Sequence, residues 1–380
     1  MYDEVISFIR SLFPGRDFIP LHEPKFPGRE KEYVNAAIDS TFVSSVGQFV
    51  NQFEDMICQY TGAGHAVATV NGTAALHAAL IVAGVATGDE VITQPLTFVA
   101  TANAISYCGA RPVFIDVDRD TMGMSPVSLE NFLDQNTLQK DGCCYNRTTG
   151  RPIRACVPMH TFGHPCRIDK LVMICRRHHI KLVEDAAESL GSRYKDRHTG
   201  TFGDVGIFSF NGNKTITCGG GGVIVTDDQV LAQRAKHLTT TAKIPHPYAY
   251  EHDELGYNYR LPNLNAALAC AQLENLDRFL DSKRELATLY KNFFSTQQTM
   301  DFIPEPEGAR SNYWLNAILL KDLKTRDHFL TVSNKAGVQT RPAWTLLNRL
   351  HIFKHCQTDE LINATWLSER IVNIPSSVRL

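Results

Sequence analysis

The stretch HAVATVNGTAALHAALIV, residues 65–82, joins a predicted strand to a predicted helix. It begins with an apolar run of strand length, His65–Val70, and continues after Asn71 and Gly72 into a helix-like segment, Thr73–Val82. A nearly all-apolar strand that is followed by a helix is typical of a parallel sheet with helices on both faces. The stretch therefore indicates an α/β fold.

The same alternation extends outward from this stretch to about residue 228. Seven strands are predicted, at His65–Val70, Glu90–Leu96, Pro112–Val117, Ala155–His160, Lys181–Glu184, Val205–Phe210 and Gly222–Thr226. Helix-like segments lie among them, at Thr73–Val82, Val99–Tyr107, Ile168–His178 and Gln229–His237. Only a glycine-rich turn separates the last two strands, which leaves no room for a crossover helix, so these two should be neighbours. The sequence predicts a mixed, mostly parallel seven-stranded sheet between helices.

Two segments depart from this alternation. Asp134–Arg154 is polar and is predicted to be a surface loop, whereas Asn263–Phe294 has apolar residues at three- and four-residue steps, which predicts one long amphipathic helix. A strand, a helix and a short strand are predicted beyond it, at Tyr313–Leu320, Thr325–Lys335 and Val338–Arg341. We predict two domains: an N-terminal segment with the large domain over residues 1–255, and a smaller α+β domain over residues 256–380.

Composition excludes several classes of protein. The chain has 380 residues, 43% of them hydrophobic, and 38 basic residues nearly balance 40 acidic ones, so no nucleic-acid-binding surface is indicated. The start, Met1–Glu4, is acidic where a signal peptide would be cationic, and no apolar stretch is long enough to span a bilayer. Ten scattered cysteines contain no CxxC pair, which favours buried thiols over a metal site or disulfides. We expect a cytoplasmic protein without a metal.

Lys214 is the first candidate for chemistry. It follows the predicted strand Val205–Phe210 and precedes the four glycines Gly219–Gly222. A lysine just beyond a buried strand, with little bulk around it, can reach into a cleft and form a Schiff base. Taken alone, a solvated lysine in a turn is the commoner explanation of this pattern.

Asp185 is the second candidate, because it ends the apolar strand Lys181–Glu184 at the edge where open α/β sheets bind ligands. An acid at this place can bond a protonated pyridine nitrogen, although a helix cap is the more frequent role of such a residue. Glu184 should point to the opposite face if the strand continues to it.

A third element is Asn71–Ala75, between a strand and a helix. Backbone N–H groups at a helix start suit a phosphate, and an ordinary capped helix start is an equally good interpretation. The usual dinucleotide and nucleoside-triphosphate loops are missing from the sequence. Phe98, at the end of another strand, has the right place to stack on an aromatic ring, though a core phenylalanine is the commoner reading.

The order of these elements along the chain resembles one family, the DegT/DnrJ/EryC1/StrS nucleotide-sugar aminotransferases. The stretches that carry the resemblance are Asn71–Leu76 (NGTAAL), Thr97–Ile105 (TFVATANAI), Pro112–Asp118 (PVFIDVD), Val183–Ser192 (VEDAAESLGS), Phe208–Thr217 (FSFNGNKTIT) and Tyr257–Leu261 (YNYRL). They run at consistent spacing through the chain. The resemblance implies PLP fold type I, with pyridoxal 5'-phosphate (PLP) as the cofactor.

The resemblance also implies roles for single residues. Lys214 would hold the cofactor as a Schiff base and move the proton, and Asp185 would pair with the pyridine nitrogen, which makes these two the catalytic residues. Phe98 would stack on the ring. Asn258 would reach across a dimer interface to the partner's phosphate, so that the homodimer has shared active sites. The remaining cofactor-binding residues that it implies are Thr73, Ala74, Glu188 and Ser209.

Three positions depart from the wider family, which has Gln, His and His where this chain has Glu188, Asn211 and Asn348. The first two substitutions are similar to those of the branch that aminates C4 of UDP-linked 4-keto-6-deoxy-N-acetylhexosamines. The substrate-binding residues that we predict are Asn211, His160, Arg260, Arg341 and Asn348.

The predicted reaction moves the amino group of L-glutamate, which becomes 2-oxoglutarate, to the C4 ketone of such a UDP-sugar. Alternatives on the same scaffold are amination at C3 or of a dTDP- or GDP-linked keto sugar. A different class is a non-catalytic sugar-nucleotide sensor. Related sugar 3-dehydratases carry His at the Schiff-base position, so Lys214 argues against dehydration.

Overall fold

A computed structural model describes residues Tyr2–Leu380. The α-helices are α1 (Tyr2–Leu12), α2 (Glu30–Asp39), α3 (Gln48–Thr61), α4 (Gly72–Val82), α5 (Val99–Tyr107), α6 (Pro126–Asn136), α7 (Ile168–Arg177), α8 (Gln229–Thr239), α9 (Asn263–Leu273), α10 (Leu276–Phe294), α11 (Leu323–Lys335) and α12 (Ile362–Ser368). The strands are β1 (His65–Thr69), β2 (Glu90–Thr93), β3 (Arg111–Phe114), β4 (Thr137–Lys140), β5 (Cys143–Asn146), β6 (Ile153–Val157), β7 (Lys181–Asp185), β8 (Arg193–Tyr194), β9 (Arg197–His198), β10 (Val205–Ser209), β11 (Gly222–Thr226), β12 (Met300–Phe302), β13 (Ala309–Arg310), β14 (Asn316–Leu320), β15 (Arg341–Pro342) and β16 (Ile371–Ile374).

The predicted strands form one seven-stranded sheet in the order β1-β11-β10-β7-β6-β2-β3. β10, β7, β6, β2 and β3 pair in parallel, whereas β11 runs antiparallel to both of its neighbours. The prediction that the last two strands are neighbours is therefore confirmed. Because β11 is the only reversed strand of this sheet, β1, β7 and β10 all end at the same edge.

Gly222 and Gly72 allow strands of the sheet to lie close to the start of α4. A Cβ on Gly222, the first residue of β11, would lie 2.4 Å from the carbonyl oxygen of Asn71. A Cβ on Gly72 would lie 2.8 Å from the Cβ of Ser209. β1 and β10 end, and β11 begins, beside the start of α4. This close approach is possible only because Gly72 and Gly222 carry no side chain.

A second, four-stranded sheet has the order β12-β14-β16-β15. Its core cluster includes residues of α10 and α11 and also Val5, Ile6 and Ile9 of the N-terminal helix α1. The division into residues 1–255 and 256–380 stays a prediction, and this packing places α1 with the second sheet rather than with the seven-stranded one.

The predicted helix over Asn263–Phe294 is wrong in one respect, because the structure has two helices, α9 and α10, with a break at Glu274 and Asn275. The Asn275 side chain donates a hydrogen bond to the carbonyl of Ala271 at 3.0 Å, which competes with continued helix. The apolar pattern continues across the break because α10 still packs into the core of α9 through Leu276, Phe279 and Leu280.

The segment predicted to be a loop, Asp134–Arg154, contains the hairpin of β4 and β5. Most of β4 is exposed, and so short and polar a two-stranded ribbon is not revealed by a hydrophobic pattern. Among the helices between Tyr2 and Leu380, none is long and apolar enough to cross a membrane.

Candidate active site

A cavity of about 400 Å³ lies at the sheet edge where β1, β7 and β10 end. Its walls come from the starts of α4 and α5, the ends of β7 and β10, the turn after β10, the segment after β6, and two segments near the second sheet. The residues that line it are Asn71, Gly72, Thr73, Leu76, Phe98, Ala100, Thr101, Met159, Asp185, Ala187, Glu188, Ile207, Ser209, Asn211, Asn213, Lys214, Trp314 and Trp344. Most residues predicted to bind the cofactor therefore meet in one place.

The Lys214 side chain lies inside this cavity. Its Nζ is 3.3 Å from Glu188 Oε1 and 4.1 Å from the centre of the Trp314 ring. The lysine side chain is 14% exposed and the glutamate side chain 1%, so the pair is shielded from water. This is the desolvated setting that a Schiff-base lysine requires, and a solvated turn lysine is excluded.

Glu188 is a buried acid at the centre of the cavity. Burial raises its pKa to about 7, although the charge of Lys214 and the N–H of Phe162 both act to lower it. The Phe162 N–H donates to Glu188 Oε2 at 2.9 Å. Glu188 can therefore change protonation near neutral pH while in contact with Lys214.

Asp185 ends β7 on the cavity side of the sheet. Its Oδ2 accepts a hydrogen bond from Thr101 Oγ1 at 2.8 Å, and its Oδ1 accepts one from the Ala187 N–H at 3.2 Å. Burial raises its pKa, while these hydrogen bonds and the charge of Lys214 oppose the rise. A buried carboxylate held in this way can bond a protonated ring nitrogen.

Glu184 points to the opposite face of β7, as the alternation of a strand requires. It accepts hydrogen bonds from three backbone N–H groups between residues 200 and 203. His160, which we predicted to contact substrate, belongs to this side: it is fully buried, and its Nε2 lies 3.0 Å from Glu184 Oε2. The His160 side chain lies behind the sheet and is not among the residues that line the cavity, so its contact with substrate stays a prediction.

The start of α4 offers part of the predicted phosphate site. The first N–H groups of a helix have no partner within it. Asn71 takes one of them, since its side chain accepts the Ala74 N–H at 2.8 Å, while its carbonyl accepts the Ala75 N–H at 3.0 Å as the first regular bond of the helix. The Ala74 N–H is used by this cap, whereas Gly72 and the predicted Thr73 line the cavity, so a role of Ala74 in binding phosphate stays a prediction. Ser209, across from Gly72, contributes a hydroxyl.

The predicted substrate residues are divided between the cavity and the surface. Asn211 lines the cavity, whereas Arg341 and Asn348 lie outside its wall. Asn258 is exposed, and its Oδ1 accepts a hydrogen bond from Arg260 Nε at 3.1 Å. The roles of these residues stay predictions, as does that of Asn258 toward a partner subunit.

The cavity wall contains the predicted Phe98 and also residues that the sequence does not predict as part of the site. Phe98 is 51% exposed at the cavity wall, and its ring lies 6.4 Å from that of Trp344. Trp314 and Thr101 were missed as site residues, because Trp314 lies inside an apparent strand and Thr101 inside an apparent helix. Only the fold brings them to Lys214 and Asp185.

These residues fit PLP. The cavity holds a lysine for its aldehyde, a buried acid for its ring nitrogen, aromatic rings for its face, and a helix start with a hydroxyl for its phosphate.

Among the described residues, one group has the spacing of metal ligands, namely His237, Asp253 and Glu254. It lies toward the surface, where His237 and Arg234 already pair with these two acids. Ion pairing accounts for the cluster.

Comparison with known proteins agrees with this geometry. Residues 25–380 match the DegT/DnrJ/EryC1/StrS aminotransferase family. The chain is 36% identical over 359 residues to a GDP-perosamine synthase of Escherichia coli O157:H7, covering 94% of this chain and 93% of that protein. It is 33% identical over 367 residues to a GDP-perosamine synthase of Caulobacter vibrioides, covering 95% and 94%. The crystal structure of the aminotransferase TlmJ from Streptoalloteichus hindustanus superposes with a TM-score of 0.86 at 27% identity, covering 94% of this chain and 93% of that one. The chain therefore belongs to the DegT/DnrJ/EryC1/StrS family and is a PLP-dependent aminotransferase of sugar nucleotides.

Proposed function

We propose that this enzyme transfers the amino group of L-glutamate to the C4 ketone of a nucleotide-linked 4-keto-6-deoxysugar. The observation that carries the proposal is the cluster of Lys214 with the buried acids Asp185 and Glu188 in one cavity. A non-catalytic sensor would not require a desolvated lysine between an acid and an aromatic ring.

Each of the three residues has a distinct task in the proposed reaction. Bound PLP supplies an aldehyde that accepts amines and a ring that accepts electron density. Asp185 holds a proton on the ring nitrogen, because its carboxylate is fixed by Thr101 and shielded from water. Lys214 takes and returns the proton that moves between cofactor and substrate. Glu188 accepts a hydrogen bond from the lysine, and burial raises the pKa of this acid to about 7.

Two lines of support differ on the nucleotide. Glu188 and Asn211 resemble the branch that acts on UDP-linked N-acetylhexosamines. The relatives named GDP-perosamine synthases are similar over 94% to 95% of this chain, which supports a GDP-linked sugar. Because this similarity rests on many more positions than two substitutions, a GDP-linked 4-keto-6-deoxyhexose is the first candidate and the UDP-linked sugar the second.

A side-by-side assay separates the candidates. The enzyme is given L-glutamate with GDP-, UDP- and dTDP-linked 4-keto-6-deoxysugars and with a 3-keto analogue, and kcat/KM for the aminated product is measured. We expect the highest value with the GDP-linked sugar. A preference for the UDP-linked sugar would establish the second candidate, and a preference for the 3-keto sugar would contradict amination at C4.

Lys214→Ala tests the catalytic assignment in the same assay. Turnover should fall by more than about a thousandfold, because the variant loses both the amine and the proton carrier. The melting temperature should stay near that of the wild type, so that lost folding does not explain the lost activity.

A further inference from the structure

One short segment of the second half of the chain, Ser311–Trp314, enters the site between β13 and β14. Trp314 is only 4% exposed. Its ring lies 4.1 Å from Lys214 Nζ, and its indole N–H donates to the carbonyl of Asn213 at 2.6 Å. A single side chain thus contacts both the lysine amine and the backbone just before it.

Asn312 fixes the place of this tryptophan. Asn312 is 1% exposed, and its Oδ1 accepts a hydrogen bond from the backbone N–H of Trp314 at 2.8 Å. Its Nδ2 donates to the carbonyls of Glu188 and Leu190, both at 2.9 Å. The two walls of the lysine, Glu188 and Trp314, are therefore tied together through one amide.

The Asn312 side chain packs closely against Gly163. A Cβ on Gly163, which has a φ of +94°, would lie 1.8 Å from Asn312 Oδ1. From the other side, the fully buried Lys283 donates to the carbonyl of Trp314 at 3.1 Å and to that of Ser376 at 2.6 Å. The backbone of Trp314 is thus held from both directions.

We propose that Trp314 is a positioning residue for Lys214, and that Asn312 sets its place. The ring and Glu188 hold the amine inside the cavity. The inference rests on the proposed function in one respect, namely that Lys214 is the reacting amine. A free lysine side chain samples many rotamers, and a cation–π contact in a desolvated site restricts them. An amine that is already fixed in its reacting position loses less conformational freedom when it attacks a carbonyl than a mobile amine does.

The test measures the accessibility of the Lys214 amine, which does not depend on turnover. The full-length chain is freed of PLP and treated with trinitrobenzenesulfonate, and modification of Lys214 is followed by mass spectrometry of its peptide. Trp314→Leu removes the ring that lies over the amine and opens the space beside it. We expect modification about fivefold to thirtyfold faster than in the wild type.

Two further variants serve as comparisons. Trp314→Phe keeps a ring over the amine and should stay within about threefold of the wild type. Trp366→Leu makes the same kind of change in a tryptophan that contacts Arg119 and Arg370, so its Lys214 should be modified at the wild-type rate.

Turnover adds a second readout. Trp314→Leu should lower kcat more than it raises KM for L-glutamate, because positioning of the amine is lost and the donor site is kept. If Trp314→Leu does not melt cooperatively, Asn312→Ser replaces it, because this variant keeps the indole and removes both amide donors. It should shift modification in the same direction by a smaller factor.

Wild-type modification rates in both Trp314→Leu and Asn312→Ser would overturn the inference. Its failure is distinguishable from that of the proposed function. Retained turnover in Lys214→Ala would contradict the role of Lys214, whatever the modification rates of the tryptophan variants.

Discussion

At the scale of single residues, burial sets the protonation of the two acids in the cavity. Burial raises the pKa of both Asp185 and Glu188, and the nearby charge of Lys214 limits the rise. Only Thr101 and one backbone N–H stabilise the charged form of Asp185 by hydrogen bonds. The cavity therefore favours a positively charged partner beside Asp185, which a protonated ring nitrogen supplies.

Glu188→Gln tests this electrostatic account through stability. The folded pKa of Glu188, about 7, lies above its ordinary value of 4.5. Its contribution to stability is therefore fully present below pH 4.5 and is lost as the pH rises through 7. Because glutamine does not titrate, the melting temperature of the variant relative to the wild type should rise between about pH 5 and about pH 8.5, a range that includes most of the span from 4.5 to about 7 in which the wild type loses this stability.

The measurement is thermal unfolding of the cofactor-free chain at both pH values. Glu360→Gln, which changes an exposed carboxylate, serves as the control and should show no such trend. Parallel curves for wild type and Glu188→Gln would contradict a raised pKa.

How far single residues could be predicted depended on where their partners lie in the chain. Lys214, Asp185 and Ser209 end or follow strands of the sheet, so their shared edge follows from the strand order. The hydrogen bond from the Ala74 N–H to the Asn71 side chain is local, and an asparagine at a helix start is enough to predict it. Trp314 was not predictable, because its place beside Lys214 depends on Asn312 and the packing of distant segments.

At the scale of elements, the start of α4 is both a capped helix end and part of the cavity wall. Asn71 caps the helix and also lines the cavity, and the close approach of Gly222 and Gly72 to their neighbours places this cap at the sheet edge. Stability and phosphate binding should therefore depend on the same residue.

Asn71→Ala tests this dependence. Loss of the cap should lower the free energy of unfolding by about 1 kcal/mol. It should also weaken PLP binding severalfold, because the first turn of α4 is less fixed. Urea unfolding and absorbance titration with PLP measure the two effects.

Asp322→Ala is the matched control, because Asp322 caps α11 through the Thr325 N–H at 2.8 Å and lies outside the cavity. It should lose similar stability and keep its affinity for PLP. An Asn71→Ala variant that binds PLP like the wild type would show that the cap and the phosphate site are separate.

The elements of the seven-stranded sheet could be predicted because each is a short apolar run between turn signals. The break between α9 and α10 could not, since apolar residues continue in phase across it, and it depends on a side-chain bond of Asn275 to Ala271. The hairpin of β4 and β5 is too polar and short to stand out from a loop.

At the scale of the whole molecule, some residues of the predicted site lie away from the cavity of their own chain. Asn258 and Arg260 lie at the surface, and beside them the segment 243–256 exposes Tyr248 and Tyr250 by 85% and 83%. We propose that this side meets a second copy, so that each site contains residues from both chains.

Mixing two inactive variants tests the shared site. Lys214→Ala and an Asn258→Ala chain should each have little activity alone. In a mixed dimer, one of the two sites has an intact lysine and an intact asparagine from different chains. Activity should return to about a quarter of the wild-type value after unfolding and refolding together. No recovery, with mixed dimers present by mass spectrometry, would place each site within one chain.

The proposed reaction requires that Lys214 binds PLP covalently and that L-glutamate donates the amine. The most direct measurement is a visible absorbance scan of the purified protein with PLP, before and after addition of L-glutamate. We predict a yellow band that fades on addition of L-glutamate and that is absent in Lys214→Ala. A wild-type protein with no band, or a band that persists in Lys214→Ala, would contradict the account.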